Sequence, residues 1–415
     1  MMGAIRVGIC GLLAFAVLAA GGVPVWGTAV IEMGAAGLLL LWGVAAIRAR
    51  RVEIHGNWLY VPVLGLIAFC FAQKLFGVSA YSYATKIEML KWISYFVISF
   101  LAVEAFRTTA QLKAIAAFLI SLGFLVALFG IVQYLTFNGR LYWFVPLPHP
   151  SEPFGPFVDR DHFAGFVELT APLGLAMLLQ GTWRGGKATF VGLFTAVPLA
   201  ALVMSGSRGG IVGLGFAAVV LVFVSPWRGI RIRRLFAFAS LVVLAGAFML
   251  WLGANATIQR FDKLTASSIS RDQRLSMDRD TWRIVAAHPW AGTGLGTLET
   301  VFPQYETVYD ARAVDHAHND YLELLAETGA IGGILGLAFI VVLSQQGFAN
   351  LHACEDPFNR AFHAGGLAAC CALLMHSFVD FNLHVPSNAL LFLLLAGLVS
   401  GGMDEVRLAD RDTYI

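Results

Sequence analysis

Charge is scarce in this chain. Lysine, arginine, aspartate and glutamate make up 13% of its 415 residues against 58% hydrophobic ones, and the mean hydropathy is +0.73. Too little polar surface remains to coat a water-soluble particle, which excludes a soluble globular domain. The 28 basic and 26 acidic residues leave a formal net charge of only +2. The basic residues are also scattered among short segments, which excludes nucleic acid as a partner. Cysteine is sparse as well: Cys10, Cys70, Cys354, Cys370 and Cys371 lie mostly in apolar stretches. No pair has zinc or redox spacing, and they read as packing residues. Internal repeats and low-complexity tracts are missing too.

Long apolar runs are what the chain has instead. A bilayer core roughly 30 Å thick takes about 20 apolar helical residues per crossing, and such stretches recur from end to end. Strands of a barrel alternate apolar and polar residues, whereas the run Leu235 to Leu252 is apolar on nearly every face. The fold class expected is therefore all-α, a polytopic membrane protein with about twelve transmembrane helices and one large periplasmic loop domain. The spans fall near 5–22, 29–47, 57–73, 87–106, 113–136, 162–181, 188–205, 209–226, 234–253, 326–346, 361–382 and 387–403. Residues 1–253 hold the first nine helices with an outer loop near 137–161, 254–325 the large loop, and 326–415 the last three helices and a tail. A basic residue precedes the run from Val7 to about Ala20, as in a signal peptide, but a second apolar segment follows almost at once, so this run is read as a retained first helix. Arg48, Arg50, Arg51, Arg107, Lys113, Arg184, Lys187, Arg228, Arg231, Arg233 and Arg234 fall in every second loop. That places those loops and both termini in the cytoplasm and the two long loops outside. Trp282, Trp290, Phe302 and Tyr305 imply that the 254–325 loop folds.

Polar residues gather on the outer side in several clusters. Ser207-Arg208-Gly209-Gly210 is either a short turn whose arginine snorkels to headgroups or an anion site, where glycines admit a phosphate and a guanidinium binds it twice. Arg271, Arg274, Arg279, Trp282 and Arg283 mark an amphipathic helical stretch from Arg274 to His288, which alone also suits a helix lying on anionic lipid. It leads into Pro289-Trp-Ala-Gly-Thr-Gly-Leu-Gly296, a weak nucleotide-binding signal with no strand before it and better read as a helix-ending turn. The third cluster spans Asp315 to Gly329. His316, His318, Asp320 and Glu323 can be read as zinc ligands, but His-Glu-x-x-His is absent. Histidine as an acid, base or oxyanion partner fits better, while Asn319 or Asp320 caps the following helix. Arg160 and His162 in Asp159-Arg-Asp-His162, together with His376, Asp380, Asn382 and His384, complete the outer set. His376 and Asp380 stand one helical turn apart and are expected to pair.

Taken together, Ser207-Arg208-Gly209-Gly210, an arginine ahead of His-Pro-x-x-Gly-x-Gly-x-Gly, and His-x-His-Asn-x-Tyr-Leu-x-x-x-x-Glu-x-Gly resemble the O-antigen ligase and Wzy polymerase superfamily. The likeness is close over the sixth to eleventh helices and topological over the first five. It implies a metal-independent GT-C type glycosyltransferase of the bacterial inner membrane, inverting and without cofactor, active on the periplasmic face. The implied partners are membrane lipids, an undecaprenyl-diphosphate-linked glycan donor, and a lipid A core or glycan acceptor. By that resemblance Arg208 and Arg274 bind the diphosphate leaving group and His318 activates the acceptor hydroxyl. Arg279 and Arg283 are alternatives to Arg274, and His316, Asn319, Tyr321, Arg160, His162, His376 and Asp380 are the remaining substrate-site candidates. The Asp159–His162 segment departs from the Asn-rich version found in many relatives. Physically, two guanidiniums can neutralise a diphosphate without a metal ion, and an imidazole with an ordinary pKa of about 6.5 suits a base near neutral pH. A polymerase using the same donor as acceptor, and a transporter or lipid flippase with intramembrane polar residues along its path, are the competing readings.

Overall fold

The computed structural model describes residues 1–52, 54–147, 153–224, 271–308 and 314–402. The expected ninth span at 234–253, the basic residues Arg228 to Arg234, the start of the large loop at 254–270 and the tail from 403 lie outside the described residues. The described chain is all-α but for one two-residue hairpin. Its helices are α1 Met2–Leu18, α2 Val25–Ala49, α3 Tyr60–Leu75, α4 Ser82–Ala105, α5 Thr109–Leu135, α6 Arg160–Gln180, α7 Gly186–Ser205 and α8 Arg208–Val224. Then come α9 Arg271–Ala287, α10 Leu298–Val301, α11 Asp320–Ala353, α12 Pro357–His376 and α13 Pro386–Ser400. Among these, α2, α5, α6, α7 and α11 are long and apolar enough to cross a bilayer, and α1, α3, α8 and α13 are shorter apolar helices.

The bundle is built around α6, whose residues are buried almost throughout. It packs against α12, α7, α8 and α5, while α13 packs on α4 and α11 on α3. Small residues bring these axes close. A methyl added at Gly365 of α12 would meet the α6 backbone at 2.8 Å, and one at Gly210 of α8 would meet the Ala164 methyl at 2.5 Å. Without a hydrophobic drive between helices in lipid, such close backbone approach carries the packing.

The loop expected at 137–161 holds the hairpin, β1 Arg140–Leu141 paired with β2 Val145–Pro146. Phe154 and Phe157 beyond it are buried against Phe163 and Phe166. The amphipathic stretch expected in the large loop is α9, and a small core of Ile284, Leu298, Val301, Phe302, Ala317 and Ala326 closes it onto α11. Phe302 belongs to that core as expected, but Trp282 and Trp290 do not: they are 57% and 74% exposed.

Two helix ends differ from the periodicity, and both matter for the site. α11 begins at Asp320, six residues before the expected span, because Asn319 caps it: its Oδ1 accepts from the Leu322 N–H at 3.1 Å. Within α11 the backbone breaks at Gly329, at φ 61° and ψ −160°, a conformation open to glycine. α12 ends at His376 rather than running to 382, so the chain from Ser377 to Val385 is a loop and a short 3-10 turn.

Candidate functional site

The start of α11, the 377–385 loop and the start of α6 converge at one end of the bundle. The Asp320 N–H donates to the Ser377 carbonyl at 2.9 Å, tying the first turn of α11 to the end of α12. Just before the cap, His318 takes a positive φ of 49°, an uncommon conformation for a residue with a side chain and one that recurs where a site imposes it. Its Nδ1 lies 3.2 Å from Asp380 Oδ1. Asp380 is held in turn: Asn382 Nδ2 donates to its Oδ2 at 3.0 Å, and Asn388 Nδ2 donates to Asn382 Oδ1 and to the His162 carbonyl, both at 2.9 Å. His162 Nε2 stands 3.8 Å from Asp380 Oδ2. Burial pushes the Asp380 carboxyl up, but the hydrogen bond to His318 and the charges of His162 and His376 outweigh it, holding the group below the usual carboxylate range.

A second histidine–carboxylate group adjoins this one. His316 Nδ1 lies 2.7 Å from Glu323 Oε1, His384 Nε2 3.3 Å from the same oxygen, and His384 Nδ1 2.9 Å from Asp320 Oδ1. Glu323 Oε2 accepts from the Ala317 N–H at 2.8 Å. Phe381 stacks on His316 and meets His162 and His318 edge-on, with centroids 4.5–4.8 Å apart. Burial opposes charge on His384, yet Glu323 and the hydrogen bond to Asp320 push its pKa up to about 10. The same opposition of burial and Glu323 leaves His316 raised as well.

Of the three arginines considered for the diphosphate, the fold brings Arg274 to the site. Its Nη1 donates to the Val379 carbonyl at 3.2 Å, one residue before Asp380, and its Nη2 stands 3.8 Å from Asp161 Oδ2. Arg283 is half-exposed and turns to the buried Asp280 at 3.4 Å, and Arg279 is exposed. Arg208 is the first residue of α8 and exposed, with Gly209 lodged against the His376 ring at the end of α12. Arg160 is buried at the first position of α6, and Tyr321 Oη donates to the Leu374 carbonyl at 2.6 Å.

Several expectations are corrected. His376 pairs with Glu168 of α6, at 3.1 Å, not with Asp380. The reason is the early end of α12: past Ser377 the one-turn relationship no longer holds, and Asp380 faces His318 and Asn382 instead. The glycines after Arg208 serve close packing: a methyl at Gly209 would meet His376 at 2.4 Å and one at Gly210 would meet the Ala164 methyl at 2.5 Å. The Gly292–Gly296 run is a helix-ending turn, as expected. The N–H groups of Gly296 and, just beyond the run, Leu298 donate to the Glu327 carboxylate at 2.8 and 2.9 Å, so a carboxylate of the chain already fills the turn. Two residues of the segment that departs from the Asn-rich version reach the site: Asp161 stands beside Arg274 and His162 beside Asp380. Glu168 escaped notice, although a lone carboxylate inside a predicted span is costly enough to flag on its own.

Below the second group lies an apolar cavity of about 510 Å³ between α3, α4, α11 and α13, lined by Leu66, Trp92, Leu324, Leu335, Phe339 and Phe392. Asp320, Tyr321, Glu327 and His384 give it polar edges at the end where α11 begins.

The fold and site define a class: a multi-pass all-α membrane protein whose titratable side chains converge at one end of the bundle. Residues 165–337 match the family model described as O-antigen ligase. The matched stretch contains Arg208, Arg274, His316 and His318, while His162, Asp380 and His384 lie outside the match. No curated protein is significantly similar to the chain.

Proposed function

We propose that this protein transfers a glycan from undecaprenyl diphosphate to an acceptor hydroxyl on the periplasmic face of a bacterial inner membrane, as an O-antigen ligase-like glycosyltransferase. About twelve crossings put both termini in the cytoplasm and the His318 end outside, a reading supported by the basic residues of alternate loops. The observation that carries the proposal is the His318–Asp380 pair, 3.2 Å apart, with Arg274 anchored one residue away on Val379.

The acceptor oxygen attacks the anomeric carbon of the donor sugar, and its proton passes to Nε2 of His318. The bond from the anomeric carbon to the diphosphate oxygen breaks, and that oxygen leaves with the electron pair. Attack opposite the leaving group inverts the anomeric centre. Asp380 keeps the Nδ1 side protonated, so that Nε2 presents its lone pair. Arg274 and Arg208 take the charge of the departing diphosphate, so no metal is needed at the reacting atoms. The apolar cavity beside α11 suits a polyprenyl or acyl chain. Transport is less favoured, because the polar groups gather at one end. Even Glu168 is only about 12 Å along α6 from its start, at 1.5 Å per residue.

The test is glycan transfer by purified protein in detergent from a defined undecaprenyl-diphosphate donor, in buffer without added divalent cations, using wild type, Arg208→Ala, Arg274→Ala and His318→Ala. Transfer by wild type and loss in the folded variants supports the reading. A single added glycan marks a ligase and a ladder of lengths a polymerase. A folded wild type inert with every acceptor, or variants at full activity, overturns it in favour of transport.

A further inference from the structure

His316, Glu323 and His384 point at one another in a way the transfer chemistry does not use. Their ligand-capable atoms all lie within 4.8 Å of one another. The two imidazole nitrogens approach a single carboxylate oxygen, at 2.7 and 3.3 Å. Donors around a tetrahedral zinc ion, with bonds of about 2.0–2.1 Å, stand about 3.4 Å apart, so a small adjustment opens this triangle around a cation.

The surroundings match what such a ligand set requires. A metal-bound histidine presents one nitrogen to the ion and donates its other N–H to a carboxylate or carbonyl. His384 does this already: Nε2 faces Glu323 while Nδ1 lies 2.9 Å from Asp320 Oδ1. Glu323 is oriented in the same manner, with Oε2 fixed by the Ala317 N–H and Oε1 left to the imidazoles. Two neutral imidazoles and one carboxylate, with Asp320 behind them, balance a doubly charged ion.

We propose that His316, Glu323 and His384 bind a zinc-class divalent cation that fastens the approach to α11 and its first turn to the 3-10 turn at Asn382–His384. The ion takes the place of the protons shared between these imidazoles and Glu323. It is structural rather than catalytic, because His318 is not among the converging donors. His318 instead meets the far end of the same loop through Asp380, so fastening the loop steadies the dyad indirectly.

The test needs no transfer assay. Full-length protein purified in detergent is analysed for metal, then stripped, reloaded with Co(II), and its visible d–d absorption recorded for wild type, His384→Gln, Glu323→Gln and His316→Asn. About one equivalent of zinc per chain is expected, with a tetrahedral-type Co(II) spectrum that each substitution abolishes. The melting temperature should fall on chelation of wild type and return with zinc, which keeps the test valid if a variant fails to fold. Protein that carries no transition metal and takes none up from excess zinc overturns the proposal. So does a Co(II) spectrum indifferent to all three substitutions.

Discussion

His318 and Asp380 stand 62 positions apart, yet Nδ1 of one lies 3.2 Å from Oδ1 of the other. The contact exists because α12 stops at His376 and hands the chain to a loop that turns Asp380 back onto the residue before the α11 cap. In the proposed transfer, a carboxylate in that position would select the tautomer of the imidazole and stabilise the imidazolium formed on taking the acceptor proton.

Replacing Asp380 by Asn should therefore lower kcat for glycan transfer by roughly 10²-fold, within the usual range for disabling a general base, while KM for the donor changes little. Asn382→Ala, which removes one hydrogen bond from Asp380, should cost about tenfold. Rates and melting temperatures measured together decide the matter: a folded Asp380→Asn protein at near wild-type kcat would remove the dyad from the mechanism.

Arg274 reaches the 377–380 loop from α9, whereas Arg279 and Arg283 project from the helix with at least half of the Arg283 side chain exposed. Arg274→Ala should reduce transfer by about 10²–10³-fold, as for loss of a group facing developing negative charge. Arg279→Ala and Arg283→Ala should stay within about threefold, since both side chains are exposed on α9. Arg274→Lys should recover only part of the loss, because an ammonium lacks the two-pronged geometry suited to a diphosphate. Equal losses at all three arginines would mean that the whole face of α9 binds the donor.

The helices were legible wherever apolar runs were long, because a span needs little more than length and hydropathy. Their ends were less so. The Asn319 cap was readable, but the cap at Asp159 and the end at His376 are set by local turns and loops, and a shift of six residues at α12 was enough to assign His376 the wrong partner. Arg208, Arg274 and His318 could be picked out because they sit in dense local motifs. The partners of Glu168 and Asp161 and the pairing of His384 with Glu323 depend on which elements lie side by side, and no local pattern encodes that. The glycines are a related case: Gly209 and Gly210 look like a phosphate turn until His376 and Ala164 are seen against them.

Asp159 caps α6 by accepting from the Asp161 N–H at 2.7 Å. Burial, with the neighbouring charge of Asp161, pushes its carboxyl up to about 6, against an ordinary value of about 3.9. The folded state thus binds this proton more tightly than the unfolded one, and its contribution to stability is lost as pH rises from about 4 through 6. Asn keeps the capping oxygen and has no charge to bury. Asp159→Asn should be more stable than wild type by about 1–2 kcal/mol at pH 7.5, with the gap closing below about pH 4. Thermal unfolding in detergent at several pH values checks this; a pH-independent difference would trace the effect to packing.

Glu168 and His376 form an ion pair buried between α6 and α12, 3.1 Å apart, with Gly213 of α8 pressed against the other carboxylate oxygen. Removing one partner strands the other in a low-dielectric interior, a loss of about 3–5 kcal/mol, whereas replacing both with apolar residues of similar volume is far milder. Glu168→Ala and His376→Ala should each destabilise the protein strongly, and Glu168→Met with His376→Leu should recover most of the loss. Gly213→Ala should act like breaking the pair, because its methyl would stand 2.2 Å from Glu168 Oε1 and displace the carboxylate. A double-mutant cycle on melting curves measures the coupling. A value near zero would make the contact incidental, while a large one would show that this pair fastens α6 to α12 beside the 377–385 loop.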